Sequence, residues 1–344
     1  MKKNYLKITA GVMSSAMLIG LCAAGVPAKV IAATEHWNDA SASATQWNQW
    51  KNNWNTYSSN YEHVSLTPGA DQTQLNLAWY SHTTETPAVR IATKQNMDGA
   101  KEFVGTQTEA VTIDGVKYFS NKATVKGLKE NTKYYYQVFQ NGKWQDAETY
   151  TTKSFDSFSF LYVGDPQIGA SKNQTSTEQE KMVSAGNEVS SAAKDNLAAR
   201  NDGYNWNNIL NDAVKDHEDV SFIVSAGDQV NAGKNEREYA AYLGADALAS
   251  LPVATTIGNH DSVSNQYTLH FNNPNAFSDT DANYIQGKTE AGTDYYYRYG
   301  NTLFMVLDTN NYNCATHENV MKKAISENKD AKWRIVVFHQ DIYG

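Results

Sequence analysis

Apolar residues change their spacing along this chain, and the change divides it into regions. Between 64 and 153 they alternate with polar ones. In Gln74-Leu-Asn-Leu-Ala-Trp-Tyr80, the side chains of Leu75, Leu77 and Trp79 fall on one face, and Val89-Arg-Ile91 repeats the pattern; a period of two marks a half-buried β-strand. Tyr134-Tyr-Tyr-Gln-Val-Phe139 runs into Asn141-Gly142, a pair suited to a two-residue hairpin turn in which both positions take positive φ. Past a boundary at 153–156 the apolar runs become nearly continuous. Those at 158–163, 220–225, 253–257, 303–307 and 334–338 predict strands of a sheet covered on both faces. Helical spacing intervenes at 207–214 and at 236–248, where Tyr239, Tyr242 and Leu243 stand at i, i+3, i+4, and again around Val320, Ala324 and Ile325. The stretch 171–202 has Ser/Thr-x-x-Glu/Gln combinations but a weak apolar face, which predicts a loop with helical pieces.

The N-terminal end reads differently. Lys2, Lys3 and Lys7 precede an apolar run from Ile8 to Val26, with Ala28 or Ala33 available for cleavage. This predicts an export signal over 1–33 and a secreted, extracellular or surface-associated protein; a retained membrane anchor is the alternative, because the run approaches spanning length. Residues 34–60 form a Trp/Asn-rich lead-in in which Trp47, Trp50 and Trp54 share one helix face. They are expected to staple the lead-in onto a neighbouring domain; exposed rings would instead suit contact with glycan or cell wall. Leu128, Thr132 and Tyr134 match the tyrosine corner of a fibronectin-type sandwich. The expected order is therefore signal 1–33, lead-in 34–60, an all-β fibronectin/Ig-like sandwich 61–153 and an α/β domain 154–344.

With 41% hydrophobic residues, the composition is that of an ordinary globular protein. A formal net charge of -8 and the lack of any dense Lys/Arg block argue against nucleic-acid binding. An acidic protein that holds a phosphate must concentrate positive charge locally, and bound metal supplies it. Cys22 lies in the export stretch and Cys314 stands alone, so no internal disulfide is expected in the mature chain; stability must come from the core or from metals.

Four stretches place acids, amides and imidazoles just past apolar runs. They are Phe160-Leu-Tyr-Val-Gly-Asp-Pro-Gln167, Val224-Ser-Ala-Gly-Asp228, Thr256-Ile-Gly-Asn-His-Asp261 and Val336-Val-Phe-His339. Singly, a Gly-Asp after a strand is a turn in which the aspartate caps the next helix. Together they put oxygen and nitrogen donors at successive strand ends, where open α/β sheets build their sites.

These motifs, with Trp206-Asn207, Asp294-Tyr-Tyr-Tyr297 and the run from Tyr299 through Leu303 to Asp308, resemble the calcineurin-like metallophosphoesterases. The resemblance is to the purple acid phosphatase-like branch that carries an N-terminal fibronectin-type domain, and it spans nearly all of 61–344. It implies a layered β-sandwich flanked by helices after the N-terminal sandwich. It also implies two metal ions, Fe, Zn or Mn, with Asp165 on the first, Asp228 bridging, and Asn259 and His339 on the second. His260 would stand over the leaving group, and Asp261 would hydrogen-bond it. The implied reaction is attack on a small phosphoester by metal-activated water, as in an acid phosphatase-like phosphomonoesterase; a phosphodiesterase or nucleotidase is the alternative within the family. The chain departs from the pattern at Gln167, where a histidine is usual, and at Asn231, where purple acid phosphatases have tyrosine; both are expected beside the metals. The family's closing Gly-His-x-His segment does not occur before Gly344. The resemblance therefore implies a domain incomplete at its C-terminus, with an open sheet edge and weak metal occupancy, or else an inactive truncated surface-binding protein. His270 and His317 are expected to be structural.

Overall fold

The alternating residues become paired strands of a two-sheet sandwich. The computed structural model of the chain describes residues 44–173, 190–277 and 288–341. The export signal at 1–33, the lead-in as far as 43, and residues 174–189 of the expected loop lie outside them, as do 342–344. One sheet has the order β1-β2-β6-β5, formed by Ser65–Pro68, Gln74–Ser81, Val116–Lys126 and Thr106–Ile113. The other has the order β4-β3-β7-β8, formed by Lys101–Val104, Ala88–Ala92, Lys133–Gln140 and Lys143–Trp144, and β9 (Glu148–Thr151) pairs with β7. Leu75, Leu77, Trp79, Val89, Val125 and Tyr136 fill the space between them. The Tyr134 hydroxyl accepts from the Lys129 N–H at 2.8 Å, which is the tyrosine corner. Asn141 and Gly142 turn with φ of 54° and 77°, closing the β7–β8 hairpin as the expected two-residue turn between Gln140 and Lys143.

Beyond 154, two three-stranded sheets pack face to face. The first is parallel, β10 (Ser159–Val163), β11 (Val220–Ser225) and β12 (Val253–Ala254). In the second, β13 (Tyr295–Tyr299) runs antiparallel to β14 (Thr302–Val306), which is parallel to β15 (Trp333–Val337). Aromatic rings fill the layer between them: Tyr297 stacks on Phe304 at 4.8 Å, and Phe222 meets Phe304 edge-on at 5.5 Å. Among the described residues, helices α2 (Ser191–Asp216) and α3 (Glu236–Leu243) pack through Leu210, Tyr239 and Tyr242 into the core that holds Ile223 and Val253 of the first sheet. On the second sheet, Val320 and Ala324 of α5 (Cys314–Glu327) pack with Leu303 and Met305. The order helix, sheet, sheet, helix leaves the strand ends as the place where loops converge. On β15, the outer strand of its sheet, Trp333 and Val336 are exposed.

Two segments differ from expectation. Helix α2 begins at Ser191, so most of the described part of the expected loop is helical. Ser190 caps it by accepting from the Ala193 N–H at 3.2 Å. Its first half hid from apolar periodicity because the buried face there carries Arg200, Asn201 and Asp202, each with hydrogen bonds; Asp202, for example, accepts from the N–H groups of Gly169 and Ser171. Helix α3 ends at Leu243, earlier than expected, and a short 3₁₀ turn, Asp246–Ala249, follows Gly244.

Helix α1 (Ala44–Ser58) buries Trp47, Trp50 and Trp54 to 7%, 6% and 4% exposure. Trp50 Nε1 donates to the Arg200 carbonyl at 2.8 Å, Trp54 Nε1 to Asn196 Oδ1 at 2.9 Å, and Trp47 meets Tyr204 edge-on. These three rings are packed against α2 and are not open for stacking on a sugar. The β-sandwich in turn grips helix α4 (Gln266–His270) by its last carbonyls, with Lys122 donating to Thr268, Ser120 to Leu269 and Ser65 to His270. His270 itself lies stacked between Tyr80 and Tyr239 and bonds Glu236 Oε2 at 2.7 Å. No helix among the described residues is long and apolar enough to cross a membrane.

Candidate metal centre

The strand-end loops are held in conformations that ordinary side chains avoid. Asp165, Gln167 and Asp228 have φ of 54°, 39° and 51°, the left-handed region, which costs of order 1 kcal/mol or more per residue unless the surroundings enforce it. Here cross-loop backbone bonds do so: Asp165 N–H to Gly227 O at 3.1 Å and Gln167 N–H to Asp228 O at 2.9 Å. Two glycines permit the close approach. A Cβ on Gly258 would stand 2.0 Å from Asp228 Oδ1, and one on Gly227, whose φ is 111°, would stand 2.7 Å from His339 Nδ1.

Inside this frame, ligand atoms of Asp165, Asp228 and His339 all lie within 4.8 Å of one another. His339 Nε2 is 3.5 Å from Asp228 Oδ2 and 2.9 Å from Asn259 Oδ1. His339 Nδ1 faces the Ala226 carbonyl at 2.9 Å; a carbonyl only accepts, so Nδ1 carries the proton and Nε2 turns its lone pair inward. Two carboxylates, an amide oxygen and an imidazole lone pair thus converge with no donor among them. Such a set is satisfied by a proton on Nε2, by the Asn259 amide turning its NH2 toward that lone pair, or by a metal ion. Ligand atoms about 2.1 Å from one cation naturally sit close to 3 Å apart, so the residues present fit a borderline metal. Partial loss of hydration raises the Asp165 carboxyl above its usual range; the imidazoles of His339 and His260 oppose this, and the Asp228 charge adds to it.

His260 lies beside this cluster with its side chain one-third exposed, Nε2 3.9 Å from Asp228 Oδ2. Its backbone N–H donates to Asp228 Oδ1 at 2.9 Å and its Nδ1 to the Asn231 carbonyl at 2.5 Å. Gln167 Nε2 approaches His260 Nε2 at 3.0 Å and Asn231 Oδ1 at 3.3 Å. The amide at 167 therefore donates to His260, and Asn231 anchors both partners through its two oxygens. The 231–235 loop is pinned by Glu238, which accepts from Ala232 N–H at 2.7 Å and Asn235 Nδ2 at 2.9 Å. Burial pushes the Glu238 carboxyl up to about 7 despite those donors.

The expected Asp261–His260 bond is not formed. Asp261 is fully buried and turns back on its own loop, accepting from Gly258 N–H at 2.9 Å and Gln229 N–H at 3.4 Å. Its other oxygen is buried without a partner, and burial pushes the carboxyl well above the usual range. The Asn231 carbonyl takes the place at His260 Nδ1 that Asp261 was expected to fill, and Asp261 instead ties the Gly258 turn to the Asp228 loop.

A further group stands outside the four sequence motifs. Asn310, past the end of β14, donates to Ile257 O at 3.1 Å, and Gln340 donates to Asn310 Oδ1 at 2.7 Å. The available signal was Asp308-Thr-Asn310 after an apolar strand, the same arrangement as the four motifs. His317 bonds Asp294 at 2.7 Å and the Asn311 carbonyl at 2.9 Å; the Asp294 carboxylate raises its pKa, against burial.

Comparison with known proteins agrees with this architecture. Residues 61–152 match the model of the purple acid phosphatase N-terminal domain, and residues 158–344 match that of the calcineurin-like phosphoesterases. Among solved structures, the chain is similar to purple acid phosphatase PPD1 from yellow lupin (Lupinus luteus) seeds, with a TM-score of 0.55 and 13% identity. That likeness covers 81% of this chain and 50% of the lupin chain, so this chain spans about half the length of that relative. A weaker likeness, to PhoD, has a TM-score of 0.40 at 12% identity and covers 73% of this chain and 52% of the other. No curated protein matches the sequence. With more than half of its length matched by the second model, behind an N-terminal sandwich of the purple acid phosphatase type, the chain belongs to the calcineurin-like phosphoesterase family.

Proposed function

We propose that the full-length protein is an exported, metal-dependent phosphomonoesterase of the acid phosphatase type, using two metal ions. The observation that carries this reading is the convergence of acceptor groups from Asp165, Asp228, Asn259 and His339 at the strand ends. When bound, the ions supply Lewis acidity toward phosphoryl oxygens and acidify water. Asp228 lies centrally, with Oδ2 toward the two imidazoles and Oδ1 holding the His260 backbone, which suits a bridging carboxylate. Asn259 and His339 would hold one ion and Asp165 the other.

His260 is the residue for the leaving group. With Nδ1 fixed on the Asn231 carbonyl, only Nε2 can exchange a proton with substrate, and Gln167 sets its direction. Once the Gln167 amide gives up its bond to Nε2, that atom can carry a proton and pass it to the departing alkoxide, a contribution of about 10² to 10⁴ in rate. Asn231 supplies no phenolate, so the charge-transfer colour of a tyrosinate–iron centre is not expected, and the metal is Fe, Zn or Mn.

The test is phosphate release by full-length protein before and after chelation, on a phosphomonoester and a phosphodiester in parallel. Faster turnover of the monoester, lost with chelator and restored by metal, supports the reading. Preference for the diester moves it to a phosphodiesterase, and turnover indifferent to chelation rejects it. N-terminal sequencing of secreted protein checks the export signal over 1–33.

A further inference from the structure

The loop after β14 ties together the two loops that carry Asn259 and His339. The Asn310 side chain makes contacts in three directions. Its Nδ2 donates to Ile257 O at 3.1 Å and to Asp308 Oδ1 at 2.9 Å, and its Oδ1 accepts from Gln340 Nε2 at 2.7 Å. The Gln340 oxygen accepts from the Thr309 hydroxyl. Flipping either amide would set oxygen against oxygen, so donor and acceptor chemistry fixes both orientations.

The anchor behind Asn310 is rigid. Asp308 is 2% exposed and also accepts from Thr289 Oγ1 at 2.6 Å. Asp294, 1% exposed, accepts from the Asp308 N–H at 2.8 Å and from His317 Nδ1 at 2.7 Å, while His317 Nε2 holds the Asn311 carbonyl. A buried network in which each member has partners resists displacement.

Ile257 lies two residues before Asn259, in the irregular segment past β12, and Gln340 directly follows His339. We propose that Asn310 is a positioning residue for the metal centre: its carboxamide bridges Ile257 and Gln340 and so sets the spacing between Asn259 Oδ1 and His339 Nε2. The bridge needs a donor at one end and an acceptor at the other. A carboxylate of the same shape cannot donate, and an apolar side chain can do neither. This inference rests on reading the site as a metal centre.

The test is Co²⁺ titration of the full-length protein by calorimetry, with the visible absorption of the bound ion and the melting temperature of the metal-free protein. Asn310→Leu and Asn310→Asp should each weaken Co²⁺ binding about tenfold or more, as loss of a group supporting a ligand does, and shift the absorption bands. Lower melting temperature with affinity and spectrum unchanged assigns Asn310 a purely structural role and overturns the proposal. Gln340→Leu cuts the same bridge from its less buried end and must weaken binding in the same direction should the Asn310 variants not fold; unchanged binding there also overturns it. A parent protein that binds no Co²⁺ removes this inference together with the proposed function, whereas a parent that binds and variants that bind equally well remove the inference alone.

Discussion

The β-sandwich and the strand-end loops lie in one compact unit yet are built on opposite principles. In the sandwich, Leu75, Leu77, Trp79 and Val125 are buried on facing strands, and the polar interruptions are local devices such as the Tyr134 bond to Lys129. Its non-glycine residues at positive φ, Met97, Asp114, Asn131 and Asn141, all lie in the connections between strands and carry no converging acceptors. At the strand ends the buried or half-buried groups are Asp228, Asp261, Gln167 and His339, with Asn259 exposed beside them, and Asp165, Gln167 and Asp228 are at positive φ. The sandwich gains stability chiefly from apolar burial. The loops concentrate acceptors that repel one another, and their geometry persists because neighbouring loops over-determine it. The difference separates what holds the chain together from what it can bind.

Substitutions should respect that division. The largest effect on binding is expected for Asp228→Ala, which removes the central carboxylate: metal affinity measured by calorimetry should fall by more than about a hundredfold, with little loss of fold. Next, Trp79→Ala in the sandwich should cost about 3 to 5 kcal/mol of stability, read by denaturant unfolding, while metal affinity of the molecules that remain folded stays the same. A sandwich variant that alters metal affinity, or an Asp228 variant that unfolds the chain, would break the comparison.

How far each region could be read from sequence divides along the same line. Period-two spacing at Leu75, Leu77 and Trp79, and Asn141-Gly142 at a turn, reported the sandwich because one side chain per position decides the outcome. The acids and imidazoles of the centre were visible as types, since strand ends gather them. Their partners were not. Whether His260 Nδ1 meets Asp261 or the Asn231 carbonyl depends on which way a buried carboxylate turns, and no periodicity records that. The start of α2 was hidden for a related reason, its buried face being Arg200, Asn201 and Asp202 satisfied by hydrogen bonds. Asn310 escaped because its role lies in joining two loops far apart in sequence.

Two smaller effects sharpen the comparison. At the contact between the sandwich and the α/β domain, His63 has its Nε2 buried without a partner, and burial, with the neighbouring His270, lowers its pKa from 6.5 to about 4. The folded state favours the neutral ring, so the unfolded chain takes up the proton first as pH falls. Stability should therefore drop between pH 6.5 and about 4, by at most about 3 kcal/mol, and His63→Leu should flatten that slope in unfolding titrations. Smallest, Gln167→Leu frees His260 Nε2 from its donor. Turnover should change by about tenfold or less with a displaced pH profile, and metal affinity should stay near that of the parent; an unchanged profile would deny Gln167 its part.

The most direct test is an anomalous-difference map at the zinc edge from crystals of the full-length protein soaked in zinc. A peak is expected among Asp165, Asp228, Asn259 and His339, at bonding distance from Asp228 and from His339 Nε2. A peak elsewhere, or none with these side chains left in contact with one another, would contradict a metal centre here.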